Sequence, residues 1–156
     1  AYTGSFSLYA RQGGAGTTTT IDLSNTYLEW AKRNFEQNNL MTERDLFFRE
    51  DILHFIPEAI HSGKRYDIII LDPPTFSNSA KMDATLDIQR DQEKLLGGCL
   101  RLLNPGGVLY FSTNNRKFTL EMPFPAGTEV RDITAATIPL DFRDKKIHRC
   151  WRITQD

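Results

Sequence analysis

Cysteine is scarce: Cys99 and Cys150 are the whole thiol complement, too few for a disulfide framework or a metal-ligand set. His54, His61 and His148 are scattered, with no ligand cluster around them, so no metal is expected. Long apolar runs are missing too. Nothing approaches the roughly 18 consecutive apolar residues of a membrane helix, and no basic-then-apolar leader opens the chain. Membrane spanning and secretion are therefore unsupported, and a reducing, cytoplasmic setting is the expectation. Charge of one sign is also lacking, with 19 Lys+Arg against 20 Asp+Glu and a formal charge of −1. That excludes a polybasic protein that grips nucleic acid by bulk electrostatics. What is present is 156 residues, 40% of them apolar, enough for a single domain over 1–156 that buries roughly two-thirds of its unfolded surface. No internal repeat, low-complexity segment or linker interrupts it.

Periodicity organises the chain into alternating elements. Thr3 to Ala10 reads as a tight turn entering a short helix that Gly13 and Gly14 end. Thr17 to Ile21 is β-branched throughout and predicts a strand stopping at Asp22. Ser24 is a plausible N-cap for a helix through about Asn38, with Leu28, Ala31 and Phe35 at helical spacing. Leu46 to Arg49 predicts a strand, followed by Asp51 and a helix through Ile60 that contains Pro57. Tyr66 to Leu71 is mostly apolar, as in a strand covered on both faces. A polar stretch from Asn78 to Asp91 is expected to be mobile. A helix from about Asp87 to Leu103 ends at Asn104-Pro105-Gly106-Gly107, and Val108 to Ser112 predicts a buried strand. Glu129 to Thr134 and Ile147 to Thr154 are further strand candidates. Trp30 and Trp151, in a helix and a strand, are most simply core. This alternation, with acids at strand ends, is the pattern of an α/β fold with a mostly parallel sheet covered by helices, whose ligands gather beyond the carboxyl ends of the strands.

Three strand ends carry candidate chemistry. A turn at Gly4 lets backbone N–H groups approach a ligand, and Asp22 at the end of the next strand can accept hydrogen bonds from ribose hydroxyls; a turn glycine and a helix-capping Asp would look the same. A nicotinamide dinucleotide would want a G-x-G-x-x-G fingerprint, which Gly4-Ser5-Phe6-Ser7-Leu8-Tyr9 does not supply. The Gly13-Gly14-Ala15-Gly16 cluster reads as helix ending and strand entry. Asp51, after the Leu46 to Arg49 strand, is placed to accept from an adenine amino group or to cap a helix. The third end, Asp72-Pro73-Pro74-Thr75-Phe76-Ser77, is the sharpest. Two prolines stiffen the backbone and remove two donors, so carbonyls and a carboxylate can point outward on a rigid rim, with Phe76 available to stack on a flat base.

These residues resemble the class I S-adenosylmethionine-dependent methyltransferases. Tyr2-Thr3-Gly4-Ser5, Thr20-Ile21-Asp22-Leu23-Ser24, Tyr27 to Asn34, Leu71 to Ser79, Phe111 to Asn115 and Ile147 to Ile153 resemble, more closely, the C-terminal domain of the bacterial bifunctional 23S rRNA guanine methyltransferases, over nearly the whole chain. The resemblance implies a Rossmann-like, seven-stranded sheet with an antiparallel last strand. It implies that the first strand lies outside this chain, as part of a longer protein whose missing N-terminal region holds much of the RNA recognition. It implies S-adenosylmethionine as cofactor, 23S rRNA as partner and transfer to a guanine, at N7. Tyr2, Thr3, Gly4 and Ser5 would meet the methionyl moiety, Asp22 with Leu23 and Ser24 the ribose, and Asp51 with Ile52 the adenine. Asp72, Pro73, Pro74, Phe76 and Asn114 would form the catalytic rim, with Asp72 also on the cofactor side. The three carboxylates are expected to line one pocket.

The acceptor can be narrowed chemically. Cytosine C5 methylation needs a cysteine thiolate, but Cys99 falls mid-helix beside Gly97 and Gly98, Cys150 falls in a late strand, and the strand-end segment reads Ser112-Thr113-Asn114-Asn115. Cytosine C5 is disfavoured. An exocyclic amine must shed a proton, whereas guanine N7 carries a free lone pair; the residues alone leave these two open. Asn114, Asn115 and Asp72 are candidates for reading the base edge, and Tyr2 or Phe76 for facing the sulfonium or filling core. Arg116-Lys117 and Arg143 with Lys145-Lys146 are basic clusters near the same loop tips, either solvated faces or phosphate contacts. Other readings are an N6-adenine or N2-guanine nucleic-acid methyltransferase, and a non-catalytic RNA-binding module on the same fold.

Overall fold

In this computed structural model the described residues are 1–77 and 86–155, with Phe76 and Ser77 described through their backbone. They form two compact units, Ala1–Phe55 and Ile56–Asp156. In chain order the elements are α1 (Ser5–Gln12), β1 (Thr18–Asp22), α2 (Asn25–Gln37), β2 (Asp45–Arg49), α3 (Ile52–His61), β3 (Tyr66–Leu71), β4 (Phe76–Ser77), β5 (Leu86–Asp87), α4 (Ile88–Arg101), β6 (Leu103–Thr113), β7 (Thr128–Asp132), α5 (Thr134–Thr137) and β8 (Arg149–Gln155).

In the first unit β1 and β2 pair in parallel, Thr18 opposite Asp45 and Asp22 opposite Arg49. Ser24 caps α2 as its sequence predicts, its Oγ accepting from the Tyr27 N–H at 3.3 Å. Leu28, Ala31 and Phe35 are the buried face of that helix, and Phe35 meets Phe47 of β2 edge-on at 5.4 Å. Trp30, expected in the core, is 45% exposed. One position before Ala31, it falls outside the buried stripe and packs edge-on against Tyr2. Tyr2 is likewise exposed, so neither aromatic fills a core. At the base of the strands the buried Asp45 carboxylate accepts from the Thr18 hydroxyl at 2.8 Å and from both the N–H and the hydroxyl of Thr42, at 3.0 and 2.8 Å. The Arg11 guanidinium lies 3.2 Å away, which ties the end of α1 to the start of β2.

The second unit carries the order β3-β6-β8-β7. β3 and β6 run parallel, and β8 runs antiparallel to both β6 and β7, as the expected antiparallel last strand requires. Boundaries shift from the sequence reading by one or two residues at β7 and β8, and the end of α4 shifts for a structural reason. The helix α4 stops at Arg101 rather than Leu103, because Leu103 already pairs with Tyr66, and the Asn104 to Gly107 turn is carried as an irregularity before Val108 meets Ile68. Gly106 takes φ 75° there, a left-handed conformation that a glycine adopts without strain. β3 is not covered on both faces by the described residues as its apolar run predicts: Ile68 is 60% exposed. The polar stretch from Asn78 to Asp91 lies outside the described residues up to residue 85, together with Asn78 and Ser79 of the motif; residues 86–91 form regular structure in β5 and the first turn of α4. The core of this unit gathers Leu95, Leu96, Leu109, Phe111, Phe118, Trp151 and Ile153, all buried. Phe111 stacks on Trp151 at 5.4 Å, and Phe118 meets both rings edge-on at 5.3 and 5.6 Å. Such aromatic pairs are worth about 0.5–1.5 kcal/mol each beyond burial. Here they pin the chain just after β6, where Asn114 to Lys117 emerge.

Candidate functional site

The first unit assembles a set of donors and acceptors at one sheet end. Gly4 sits at φ 71°, ψ 19° as the residue before α1, with no side chain capping that helix. A Cβ added to it would lie 2.5 Å from the Ala31 Cβ, so only a bare backbone fits. Asn34 donates to the Thr3 carbonyl at 2.9 Å, and the Thr3 and Ser5 hydroxyls are 3.2 Å apart, which fixes the turn against α2. Asp22 ends β1, and its backbone carbonyl accepts the Glu50 N–H at 3.2 Å, so the Asp22 and Asp51 strand ends are neighbours. The Asp22 Oδ1 accepts from the Ser24 N–H at 2.8 Å, and its Oδ2 accepts from the Tyr2 N–H at 3.0 Å. Asp51 is buried. Its Oδ1 accepts from the Leu53 N–H at 2.9 Å, while Oδ2 has no hydrogen-bond partner among the described residues. Leu23 and Ser24 flank Asp22, and Ile52 opens α3 beside Asp51.

The second unit brings its own candidates together. Asp72 follows β3 and is exposed; its Oδ1 accepts from the Ser112 hydroxyl at 2.7 Å. The Thr75 hydroxyl donates to the Asn114 Oδ1 at 2.7 Å. The carboxyl ends of β3 and β6 thus share a rim of Asp72, Thr75, Ser112 and Asn114. Among the described residues it leaves one Asp72 oxygen as a free acceptor and the Asn114 amide as a free donor. The carbonyls of Pro73 and Pro74 accept no hydrogen bond among the described residues. Asn115 faces its own chain, its Oδ1 accepting from the Lys117 N–H at 3.1 Å. Phe76 is in β4, and its side chain lies outside what is described. Sequence alone does not single out Ser112 or Thr75. Both stand in motifs that carry the resemblance, but only the adjacency of β3 and β6 reveals that each holds a member of the rim.

The thiols are unsuited to attack on a base. Cys99 is buried in α4 with its thiol pushed up to about 12 by burial, and Cys150 in β8 is raised by burial first and by the nearby Asp72 charge second. Among the described residues no group of His, Cys, Asp and Glu is arranged to hold a metal ion, and no helix is long and apolar enough to cross a membrane. Of the basic clusters, Arg116 pairs with Asp144 at 2.5 Å, and Lys145 donates to the carbonyls of Pro139 and Leu140 at 3.0 and 3.2 Å.

A glycine turn before a helix, with carboxylates on the next two strand ends and a parallel sheet closed by an antiparallel strand, defines a class that the comparisons also give. Residues 3–151 match the methyltransferase domain family, and the chain belongs to it. It is 53% identical over 152 residues to the ribosomal RNA large subunit methyltransferase K of Neisseria meningitidis serogroup B, covering 97% of this chain and 43% of that protein. It is 49% identical over 154 residues to the ribosomal RNA large subunit methyltransferase K/L of Methylococcus capsulatus, covering 98% of this chain and 21% of that protein. The chain thus spans less than half the length of these relatives. Among solved structures it shares the fold of a methyltransferase complexed with SAH (TM-score 0.77, 23% identity, 97% of this chain and 42% of the other). It also shares that of the SAM-dependent methyltransferase of Agrobacterium tumefaciens (TM-score 0.75, 22% identity, 99% and 53%).

Proposed function

We propose that this chain is the methyl-transfer domain of a larger ribosomal RNA methyltransferase, that it uses S-adenosylmethionine, and that it methylates a guanine of 23S rRNA at N7. The observation that carries the reading is the donor and acceptor set of the first unit. The uncapped N–H groups of α1 suit a carboxylate, Asp22 suits ribose hydroxyls, and the free Asp51 Oδ2 suits an exocyclic amine. These chemistries match a methionyl carboxylate, a ribose and an adenine. The names of the relatives of about half identity support a ribosomal RNA substrate.

When bound, S-adenosylmethionine supplies a sulfonium-activated methyl carbon. The task left to the protein is to hold the acceptor in line with that carbon, and such positioning can lower the barrier by roughly 7–11 kcal/mol. Asp72, held at Oδ1 by Ser112, offers Oδ2 to the N–H donors of a guanine edge. The Asn114 amide, oriented by Thr75, donates to a carbonyl oxygen such as O6. Guanine N7 needs no proton removed, so neither residue has to act as a base. A base in folded RNA must be unstacked to be read this way, at a cost of a few kcal/mol.

The test is methylation by the full-length protein of unmodified 23S rRNA, with double-stranded DNA in parallel, followed by mass spectrometry of the nucleosides. The expected product is 7-methylguanosine from the RNA alone. An N2-methylguanosine or N6-methyladenosine product in variants confined to this domain's activity, or product from DNA, overturns the acceptor assignment. RNA binding without methyl transfer favours the non-catalytic module.

A further inference from the structure

The connection between β7 and β8 holds two apolar side chains in water beside the rim. Because β8 runs antiparallel to β6, with Thr113 opposite Arg149, residues 133–148 join the sheet at the same end as Asp72 and Asn114. The loop is braced rather than slack. The Phe142 N–H donates to the Pro139 carbonyl at 3.1 Å, Lys145 closes onto the carbonyls of Pro139 and Leu140, and the Lys146 N–H donates to the Asp144 Oδ1 at 2.8 Å. Asp144 in turn takes Arg116, two positions beyond Asn114, at 2.5 Å, which ties the loop to the rim. At its tip Leu140 is 99% and Phe142 47% exposed, while Ile138 at its base is buried. Arg143 and Lys146 beside them are exposed; among the described residues neither side chain makes a hydrogen bond or a close ion pair, and Lys146 acts on Asp144 only through its charge.

An exposed aromatic and aliphatic pair flanked by uncommitted cations is the combination that grips unpaired nucleic acid, through stacking on a base and pairing with phosphates. We infer that the Leu140–Phe142 tip stacks on an unpaired nucleotide flanking the methylated guanine, with Arg143 and Lys146 on adjacent phosphates. This rests on the ribosomal RNA reading above. Arg143, Lys145 and Lys146 outnumber Asp141 and Asp144 in the tip by three to two, which favours RNA over a protein partner, and the braces explain the tip's position. Lys145 and Arg116 are spent on holding the loop, so the phosphate contacts fall to Arg143 and Lys146.

The experiment uses the full-length protein and an unmodified fragment of 23S rRNA, with RNA affinity read by fluorescence anisotropy and S-adenosylmethionine affinity by calorimetry. Phe142→Ala should weaken RNA binding roughly 5- to 150-fold, the range for removal of one stacked base. Phe142→Trp should retain it, and cofactor affinity should not change in either. The double variant Arg143→Gln/Lys146→Gln should lower the slope of log affinity against log salt by up to about 1.4, or about 0.7 for each single-strand phosphate no longer neutralised. If the wild type methylates the RNA yet all three variants bind it as the wild type does, the inference fails and the function stands. If the wild type methylates no RNA, the function itself fails. Variants that act normally on naked RNA but not on precursor ribosomal particles would also overturn the inference and assign the tip to a protein.

Discussion

Replacing Gly4 by alanine tests the turn on which the first unit's ligand chemistry depends. At φ 71° an L-residue pays roughly 1–2 kcal/mol that glycine does not. The new Cβ would stand 2.5 Å from the Ala31 Cβ and 3.2 Å from its Cα, and Ala31 is fully buried, so the overlap cannot swing into solvent. Overpacking of this kind costs about 1–3 kcal/mol. The sum is about 2–5 kcal/mol, lowering the urea midpoint by on the order of 1 M or more. The partner change Ala31→Gly alone costs about 1 kcal/mol in helix propensity and about 0.8 for the deleted methyl, but it removes the atom that clashes. Urea unfolding of both single variants and the double variant should therefore show a double variant about 1–3 kcal/mol more stable than additivity gives. Additivity within about 0.5 kcal/mol would refute the close approach of this turn to α2, and with it the argument that only bare backbone fits there.

The buried thiols yield a chemical prediction. Cys99→Ala should keep full methyl transfer, because at pH 8 a thiol pushed up to about 12 is ionised in only about one molecule in ten thousand; loss of activity with the fold intact would return cysteine attack to consideration. Asp91 supplies the pH dependence. Hydrogen bonding from Arg90 outweighs burial, and with the Asp87 N–H it holds the carboxyl below its ordinary 3.8. Its contribution to stability is therefore present above that value and lost as pH falls through the lower folded value. Asp91→Asn should be less stable at pH 7 and lose less than the wild type between pH 5 and 3 in urea titrations; parallel acid limbs would contradict the assignment. On the rim, Ser112→Ala should lower the methylation rate by removing the hydroxyl that orients Asp72 while leaving S-adenosylmethionine affinity as it is. A rate equal to that of the wild type would show that Asp72 needs no such support.

Much of this is legible in the sequence because it is local. The β-branched run before Asp22, the Ser24 cap and the Leu28, Ala31, Phe35 spacing each state their element through backbone preference and periodicity. What is not legible depends on partners distant in sequence. The apolar run of β3 predicts full cover, but cover is a property of what packs on it, and the described residues leave Ile68 exposed. Trp30 reads as core by size, yet its position on α2, one residue off the buried stripe, decides otherwise. The motif around Asp72 announces a rim, but not that Ser112 and Thr75 orient its members, because that requires β3 and β6 to be neighbours. The braced tip at Phe142 is invisible for the same reason: nothing in a Phe-Arg-Asp-Lys-Lys string tells which cations are already committed.

The most direct measurement is calorimetric titration of the full-length protein with S-adenosylmethionine, comparing the wild type with Asp22→Asn in this domain. The asparagine keeps an oxygen for the Ser24 N–H but removes the charge and one acceptor. A site for the methyl donor at the ends of β1 and β2 predicts saturable binding by the wild type, weakened on the order of tenfold or more by the substitution. Equal affinity in the two, or no binding by the wild type, would contradict it.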